Sequence, residues 1–138
     1  MAYDNAGRAR QQVHGNTSLT TYQYDLANQR TGIVNTTSAG VLFNRFTYVF
    51  DPAGNRISLR ESSGERTTWT YDAAHQLTRE RRSGANSFDV THTYDPAGNR
   101  LVMIDSGTKT THIYDAANQL LLAQTGANRT TYTHDDCG

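Results

Sequence analysis

The sequence has few of the residues that signal a disulfide-bonded, membrane-spanning or nucleic-acid-binding protein. Its single cysteine, Cys137, has no partner for a disulfide within the chain. No apolar run is long enough to cross a bilayer, and the start at Met1 lacks the charged and apolar regions of a signal peptide. We therefore expect no membrane insertion. Thirteen basic and thirteen acidic residues give zero formal charge, which argues against nucleic acid as a partner and gives no reason to expect an anionic membrane surface as one.

Apolar residues are also scarce, at 36% of a 138-residue chain, and charged residues make up only 19%. The balance is filled by Thr, Asn, Gln, Ser and Gly, a composition that favours short strands and many turns over a deep hydrophobic core. At this length the chain is expected to form one domain, spanning residues 1–138.

What the sequence does contain is a repeat. An aromatic residue or histidine followed by aspartate recurs at intervals of 20 to 26 residues. A period of this size indicates a repeat array, here of about six hairpin units. The pairs are Tyr3-Asp4, Tyr24-Asp25, Phe50-Asp51, Tyr71-Asp72, Tyr94-Asp95, Tyr114-Asp115 and His134-Asp135.

The residues after each aspartate have the chemistry of a tight turn. Aspartate starts the turn, and Pro52 or Pro96 follows it in two copies, as in type I turns. The fourth residue after the aromatic is always one that accepts positive φ. A type I turn followed by a left-handed residue joins hairpin strands with a bulge, so every motif is predicted to be a hairpin turn. The fourth positions are Gly7, Asn28, Gly54, His75, Gly98, Asn118 and Gly138.

These turns alternate between two kinds along the chain. Motifs with glycine at the fourth position alternate with motifs that have asparagine or histidine there. The alternation suggests that the stacking unit is a pair of hairpins, with successive turns in different settings.

Each motif is preceded by a segment with the alternating pattern of a strand, rich in Thr and aromatic residues. We predict an all-β fold in which tandem β-hairpins form a curved, twisted antiparallel ribbon. A helix over Asp115–Gln124 is the alternative, but its counterpart in another repeat contains Gly54 in mid-segment. The strand aromatics are expected to line up as a ladder: Tyr22, Tyr24, Tyr48, Phe50, Trp69, Tyr71, Tyr94, Tyr114 and Tyr132.

The motif resembles the YD repeat of bacterial Rhs proteins, which also occurs in the B and C components of Tc toxins, in wall-associated bacterial proteins and in teneurins. This resemblance covers essentially the whole chain. It implies a segment of a spiral shell that encloses a C-terminal toxin, within a longer, secreted or cell-surface bacterial protein. Partners implied by the resemblance are further YD repeats and a polypeptide cargo. Separately, the unpaired strand edges of an isolated ribbon predict pairing between copies of the chain. The turns Asp51–Gly54 and Asp95–Gly98 are similar to a self-cleavage site of the family, but their repeat register gives them no protease role.

No residue set predicts catalysis, a cofactor or a metal site. The repeated aspartates are alike, whereas catalysis needs one distinct site, and a turn aspartate normally accepts backbone N–H bonds. His134 and Cys137 have ligand-like spacing but are only two groups. We therefore predict a non-enzymatic structural segment. The alternative is an extracellular binding module that contacts glycan or protein through its aromatic and amide side chains.

Overall fold

The computed structural model describes residues 1–135 as thirteen β-strands without a helix. No segment of this part of the chain is a helix that could cross a membrane. The strands are β1 (Ala2–Tyr3), β2 (Ala9–Val13), β3 (Leu19–Tyr24), β4 (Arg30–Thr36), β5 (Leu42–Phe50), β6 (Arg56–Glu61), β7 (Arg66–Tyr71), β8 (Leu77–Ser83), β9 (Phe88–Tyr94), β10 (Arg100–Asp105), β11 (Thr108–Tyr114), β12 (Leu120–Thr125) and β13 (Asn128–Thr131).

The chain divides into two compact units, the first comprising residues 1–68 and 83–85 and the second residues 69–82 and 86–138. In both units the order of strands in the sheet is their order in the chain, and the recorded neighbouring pairs are antiparallel. Consecutive strands are thus joined as hairpins. The prediction of an all-β fold built of tandem hairpins is confirmed, and the helix over Asp115–Gln124 does not form because β12 covers its second half.

In the first unit, the alternating pattern places large side chains in register across neighbouring strands. Tyr22 of β3 is opposite Ile33 of β4, which is in turn opposite Phe46 of β5. Tyr48 of β5 is opposite Leu59 of β6. Because side chains alternate between the two faces of a strand, these residues share one face. Thr20 lies on that face and donates to Asn35 Oδ1 at 2.6 Å.

The second unit repeats this arrangement with histidines in place of two strand aromatics. His92 of β9 is opposite Met103 of β10, and His112 of β11 is opposite Ala123 of β12. Burial is shallow. Leu122, 8% exposed, is the single apolar residue classed as buried among the described residues, while Ile113 is 52% exposed. Backbone hydrogen bonds and cross-strand contacts, rather than a packed core, therefore carry most of the fold.

A β-bulge follows the motif turn in hairpins of both units. Tyr24 is opposite Arg30, but Gln23 is opposite Gly32, so one residue of β4 is left unpaired. The same register shift follows Tyr3, Phe50, Tyr94 and Tyr114. An extra residue at the same place in each hairpin bends and twists the strands in the same way each time.

Candidate functional site

The repeated motif builds the same turn six times within the described residues. The amide of the aspartate donates to the carbonyl oxygen of the residue four positions later, and the amide three positions after the aspartate donates back to its carbonyl oxygen. In the turn at Asp51 these N···O distances are 2.9 Å to Asn55 and 3.0 Å from Gly54. The turns begin at Asp4, Asp25, Asp51, Asp72, Asp95 and Asp115, and their left-handed residues are Gly7, Asn28, Gly54, His75, Gly98 and Asn118.

The carboxylate of each aspartate closes its own turn. Oδ1 of Asp95 accepts the amides of Ala97 and Asn99 at 2.9 and 2.8 Å, and Oδ2 accepts the Asn99 side-chain amide at 2.9 Å. These bonds favour the charged form and hold the pKa of Asp95 below its usual value, with the Asn99 side chain the largest cause. At Asp4 the Arg8 backbone amide is the largest cause of the lowered pKa, and the Arg8 guanidinium adds to it. The carboxylates are thus engaged in holding the backbone.

The motif tyrosine connects its turn to the turn before it. Tyr24 Oη donates to the carbonyl oxygen of Ala9 at 3.0 Å, and Tyr94 Oη donates to that of Leu77 at 2.8 Å. Tyr114 Oη donates to the Arg100 carbonyl oxygen at 3.2 Å. Each acceptor lies six residues after the preceding motif aromatic. His134 repeats the contact, with Nε2 at 2.9 Å from the Leu120 carbonyl oxygen, so the histidine of the last motif takes the place of the tyrosine.

Arginine side chains cover tyrosine rings in the first unit. The Arg8 guanidinium lies 4.6 Å from the ring centre of Tyr24, and that of Arg30 lies 4.8 Å from the ring centre of Tyr22. The Arg56 guanidinium is 4.7 Å from the Tyr48 ring. Such cation–π contacts contribute about 0.5–1 kcal/mol at exposed sites. The aromatic row is therefore interleaved with arginine, a feature that the alternating pattern alone did not reveal.

The two kinds of turn differ in backbone geometry. Glycine occupies the fourth position at φ values of 75°, 89° and 92° for Gly7, Gly54 and Gly98. Asn28, His75 and Asn118 have smaller values of 66°, 61° and 63°, close to the left-handed region that asparagine accepts. We refer to these as Gly-type turns and Asn/His-type turns.

The described residues offer no cluster of side chains for metal binding. No group of three or more His, Cys, Asp or Glu side chains in residues 1–135 is arranged to hold a metal ion. Burial is the main cause of the lowered pKa of His92 and of His112, and the neighbouring Arg100 adds to it. Cys137 and Gly138, which the sequence analysis considered as ligand and turn residue, lie outside the described residues.

Comparison with known proteins finds a family model that matches part of the chain. The RHS Repeat family matches residues 50–87, from the turn at Asp51 past the turn at Asp72. This stretch resembles an RHS repeat. The resemblance to the Rhs family inferred from the sequence motifs is thereby confirmed. No curated protein sequence matches the chain significantly.

Solved structures share the fold of this chain at low sequence identity. The crystal structure of TcdB2-TccC3-Cdc42 matches with a TM-score of 0.79 and 18% identity, over 88% of this chain and 7% of that chain. The crystal structure of TcdB2-TccC3 without its hypervariable C-terminal region matches with a TM-score of 0.78 and 18% identity, over 88% of this chain and 6% of that chain. The structure of a Photorhabdus luminescens Tc holotoxin pore with a mutation in TccC3 matches with a TM-score of 0.68 and 19% identity, over 93% of this chain and 10% of that chain. The chain thus spans a tenth or less of each of these chains.

Proposed function

We propose that the chain is a non-catalytic segment in the wall of an Rhs-repeat shell that encloses a C-terminal polypeptide cargo. The observation that carries this proposal is the repeated tie between successive turns. The hydroxyls of Tyr24, Tyr94 and Tyr114 each donate to a carbonyl oxygen just after the preceding turn, so a hairpin is stabilised by the hairpin beside it. Nearest-neighbour contacts of this kind permit arrays of many hairpins.

The shallow burial of the chain supports the same proposal. A single layer of sheet leaves apolar side chains such as Val49, Ile104 and Ile113 exposed by 48%, 38% and 52%. A wall with a polypeptide on one side suits such a surface better than an isolated soluble domain does. The likeness to TcdB2-TccC3 structures is a likeness of fold and supports the structural part of the proposal.

A non-catalytic role follows from what the motif residues do. Their aspartates accept bonds from their own turns, and their tyrosines donate to neighbouring turns, so the repeated groups serve the backbone. Partners of the segment are then further YD repeats of the longer protein, or copies of the chain paired through open strand edges, and the enclosed polypeptide. By the same proposal the longer bacterial protein acts outside the cytoplasm, secreted or at the cell surface.

The alternative, a binding module for glycan, has less support. Stacking against a sugar needs a free aromatic face, and Tyr22, Tyr24 and Tyr48 each carry a guanidinium on one face. A glycan array probed with the chain tests this alternative directly. Specific, saturable binding would place it ahead of the shell proposal.

Limited proteolysis of the longer parent protein tests encapsulation. We expect the polypeptide that follows the repeats to remain intact while the repeats are folded, and to be degraded when expressed without them. Partial denaturation of the repeats supplies the matched control, because opening the shell exposes the cargo. Equal cleavage of the polypeptide with and without folded repeats, or a parent protein that lacks such a polypeptide, would contradict encapsulation.

A further inference from the structure

Contacts between successive turns alternate between two kinds. At two of the steps from a Gly-type turn to the next Asn/His-type turn, the side chain after the glycine donates to the asparagine. Arg8 Nη1 lies 3.1 Å from Asn28 Oδ1, and in the second unit Asn99 Nδ2 lies 2.8 Å from Asn118 Oδ1. The asparagine side chain therefore serves as the acceptor for its neighbour.

The step from an Asn/His-type turn to the next Gly-type turn depends on a glutamine side chain and on the lack of a side chain at the glycine. The glutamine after the asparagine or histidine lies over the glycine. Gln29 Nε2 is 3.2 Å from the position that a Cβ on Gly54 would take. In the second unit Gln76 Nε2 is 3.1 Å from the corresponding position on Gly98. A side chain there would displace the glutamine, so the glycine provides room for its neighbour.

The two steps are consequently not interchangeable. A glycine in place of Asn28 removes one of the acceptors that the Arg8 side chain uses. A Cβ on Gly54 would lie 3.2 Å from Gln29 Nε2, so the glutamine side chain would have to shift. The residue at the fourth position of each turn is thus suited to the side chain at the fifth position, counted from the motif aromatic, of the turn before it. This relation accounts for the alternation in the sequence.

We propose that this alternation is a pairing code, and that the edge formed by β1 and the Gly7 turn accepts one kind of hairpin. Its partner is a hairpin whose turn has the sequence Tyr-Asp-x-x-Asn-Gln or Tyr-Asp-x-x-His-Gln. Gly7 has the positive φ of a Gly-type turn, and a Cβ on it would meet nothing within 4 Å. That is the space into which the partner's glutamine fits.

Two further features of this edge match the contacts seen inside the array. Tyr3, the equivalent of Tyr24 and Tyr94, is 63% exposed, so its hydroxyl is available to a carbonyl of an incoming turn. Within the described residues, β1 has one neighbouring strand, β2, which leaves its other edge for the incoming hairpin.

The pairing code rests on the proposed function in one respect, the expectation that further hairpins lie next to the Gly7 hairpin. Two extended chains test the code. In the first, a copy of residues 66–93 is joined directly to Tyr3, so that the copied His75 turn precedes the Gly7 turn as it precedes Gly98 in the native chain. In the second, the copy carries His75→Gly and Gln76→Asn, which converts its turn to the Gly type while leaving its strands unchanged.

The exchange rates of the Gly7 and Arg8 amides, followed by NMR, measure how well the added hairpin packs against the Gly7 turn. We expect the His–Gln extension to slow their exchange about tenfold relative to the Gly–Asn extension. Equal exchange in the two chains would overturn the code. Because only the Gly7 edge is measured, a parent protein that holds no cargo would leave this result unaffected.

A double-mutant cycle inside the native chain keeps the proposal testable if an extended chain does not fold. Gly54→Ala is compared with and without Gln29→Ala, using the free energy of unfolding. The code predicts that Gly54→Ala is less destabilising once Gln29 is shortened. A cost that is the same in both backgrounds contradicts the code.

Discussion

The Gly-type and Asn/His-type turns share one backbone frame but obtain it with different residues. In both, aspartate Oδ1 accepts the amide four positions later, as in the 2.9 Å bonds at Asp51 and Asp72. They differ at the left-handed residue, where Gly54 has a φ of 89° and His75 one of 61°. The comparison shows that the aspartate holds the turn in the same way in both types, whereas the backbone at the fourth position differs between them.

The largest expected effect comes from closing the space above a Gly-type turn. Gly54→Val should lower the free energy of unfolding by about 2–3 kcal/mol, because a β-branched residue resists positive φ and because Gln29 occupies the space. Thermal unfolding measures the loss. The control is Gly7→Val, which has a similar φ of 75° but open space around it and should be less costly. An unchanged melting temperature for Gly54→Val would contradict the turn assignment.

Removing the aspartate should affect both turn types about equally. Asp51→Ala and Asp72→Ala each abolish two bonds from backbone amides, a change comparable to the loss of a helix cap, at about 1–2 kcal/mol. Urea unfolding of the two variants gives the comparison. A loss confined to one turn type would show that the two do not share a frame.

A smaller loss is expected from breaking the tie between turns without altering the turn itself. Tyr94→Phe removes the hydroxyl that donates to the Leu77 carbonyl oxygen and should cost about 1 kcal/mol. Tyr3→Phe is the control, since Tyr3 is 63% exposed and should tolerate the change. The melting temperatures of the two variants are compared. Equal melting temperatures would argue against a stabilising hydrogen bond from Tyr94 to Leu77.

The smallest expected effect concerns the charge of a Gly-type aspartate. Asn99→Ala removes the side-chain bond to Asp95 Oδ2, the largest cause of its lowered pKa, so the pKa of Asp95 should rise. Because the folded pKa lies below the unfolded one, this carboxylate stabilises the fold above about pH 4, and the benefit is lost as the pH falls through the folded pKa. NMR titration of the Asp95 carboxyl carbon measures the shift. A pKa unchanged by Asn99→Ala would show that the backbone bonds suffice.

The repeat made much of this structure predictable. Asp51-Pro52 with Gly54 fixes a turn by local chemistry, and a local signal repeated in register is stronger than any single copy. The positions of the strands followed from the alternation of Thr with aromatic residues, as in β7 and β11. The sequence also indicated two kinds of turn, although it did not reveal why they alternate.

What the sequence did not reveal depends on contacts between neighbouring hairpins. The Arg8 side chain reaches Tyr24 and Asn28, about 20 residues away in the chain, and a charge pattern gives no sign of that contact. The role of Gln29 was likewise missed, because glutamine at a turn reads as an ordinary solvated residue. Both contacts connect positions that are equivalent in successive repeats, so comparing residues of one repeat with those of the next was the available signal.

Hydrogen exchange across the whole chain tests most directly the central claim that the row of motif turns holds the array together. The account predicts slow exchange, in Gly-type and Asn/His-type turns alike, for the amides bound by aspartate carboxylates, namely those of Arg8, Gln29, Asn55, Gln76, Asn99 and Gln119. If these amides exchanged as fast as those of exposed loop residues such as Ala39 and Ala127, the turn row would not be the structural element described above, and the scaffold account would be contradicted.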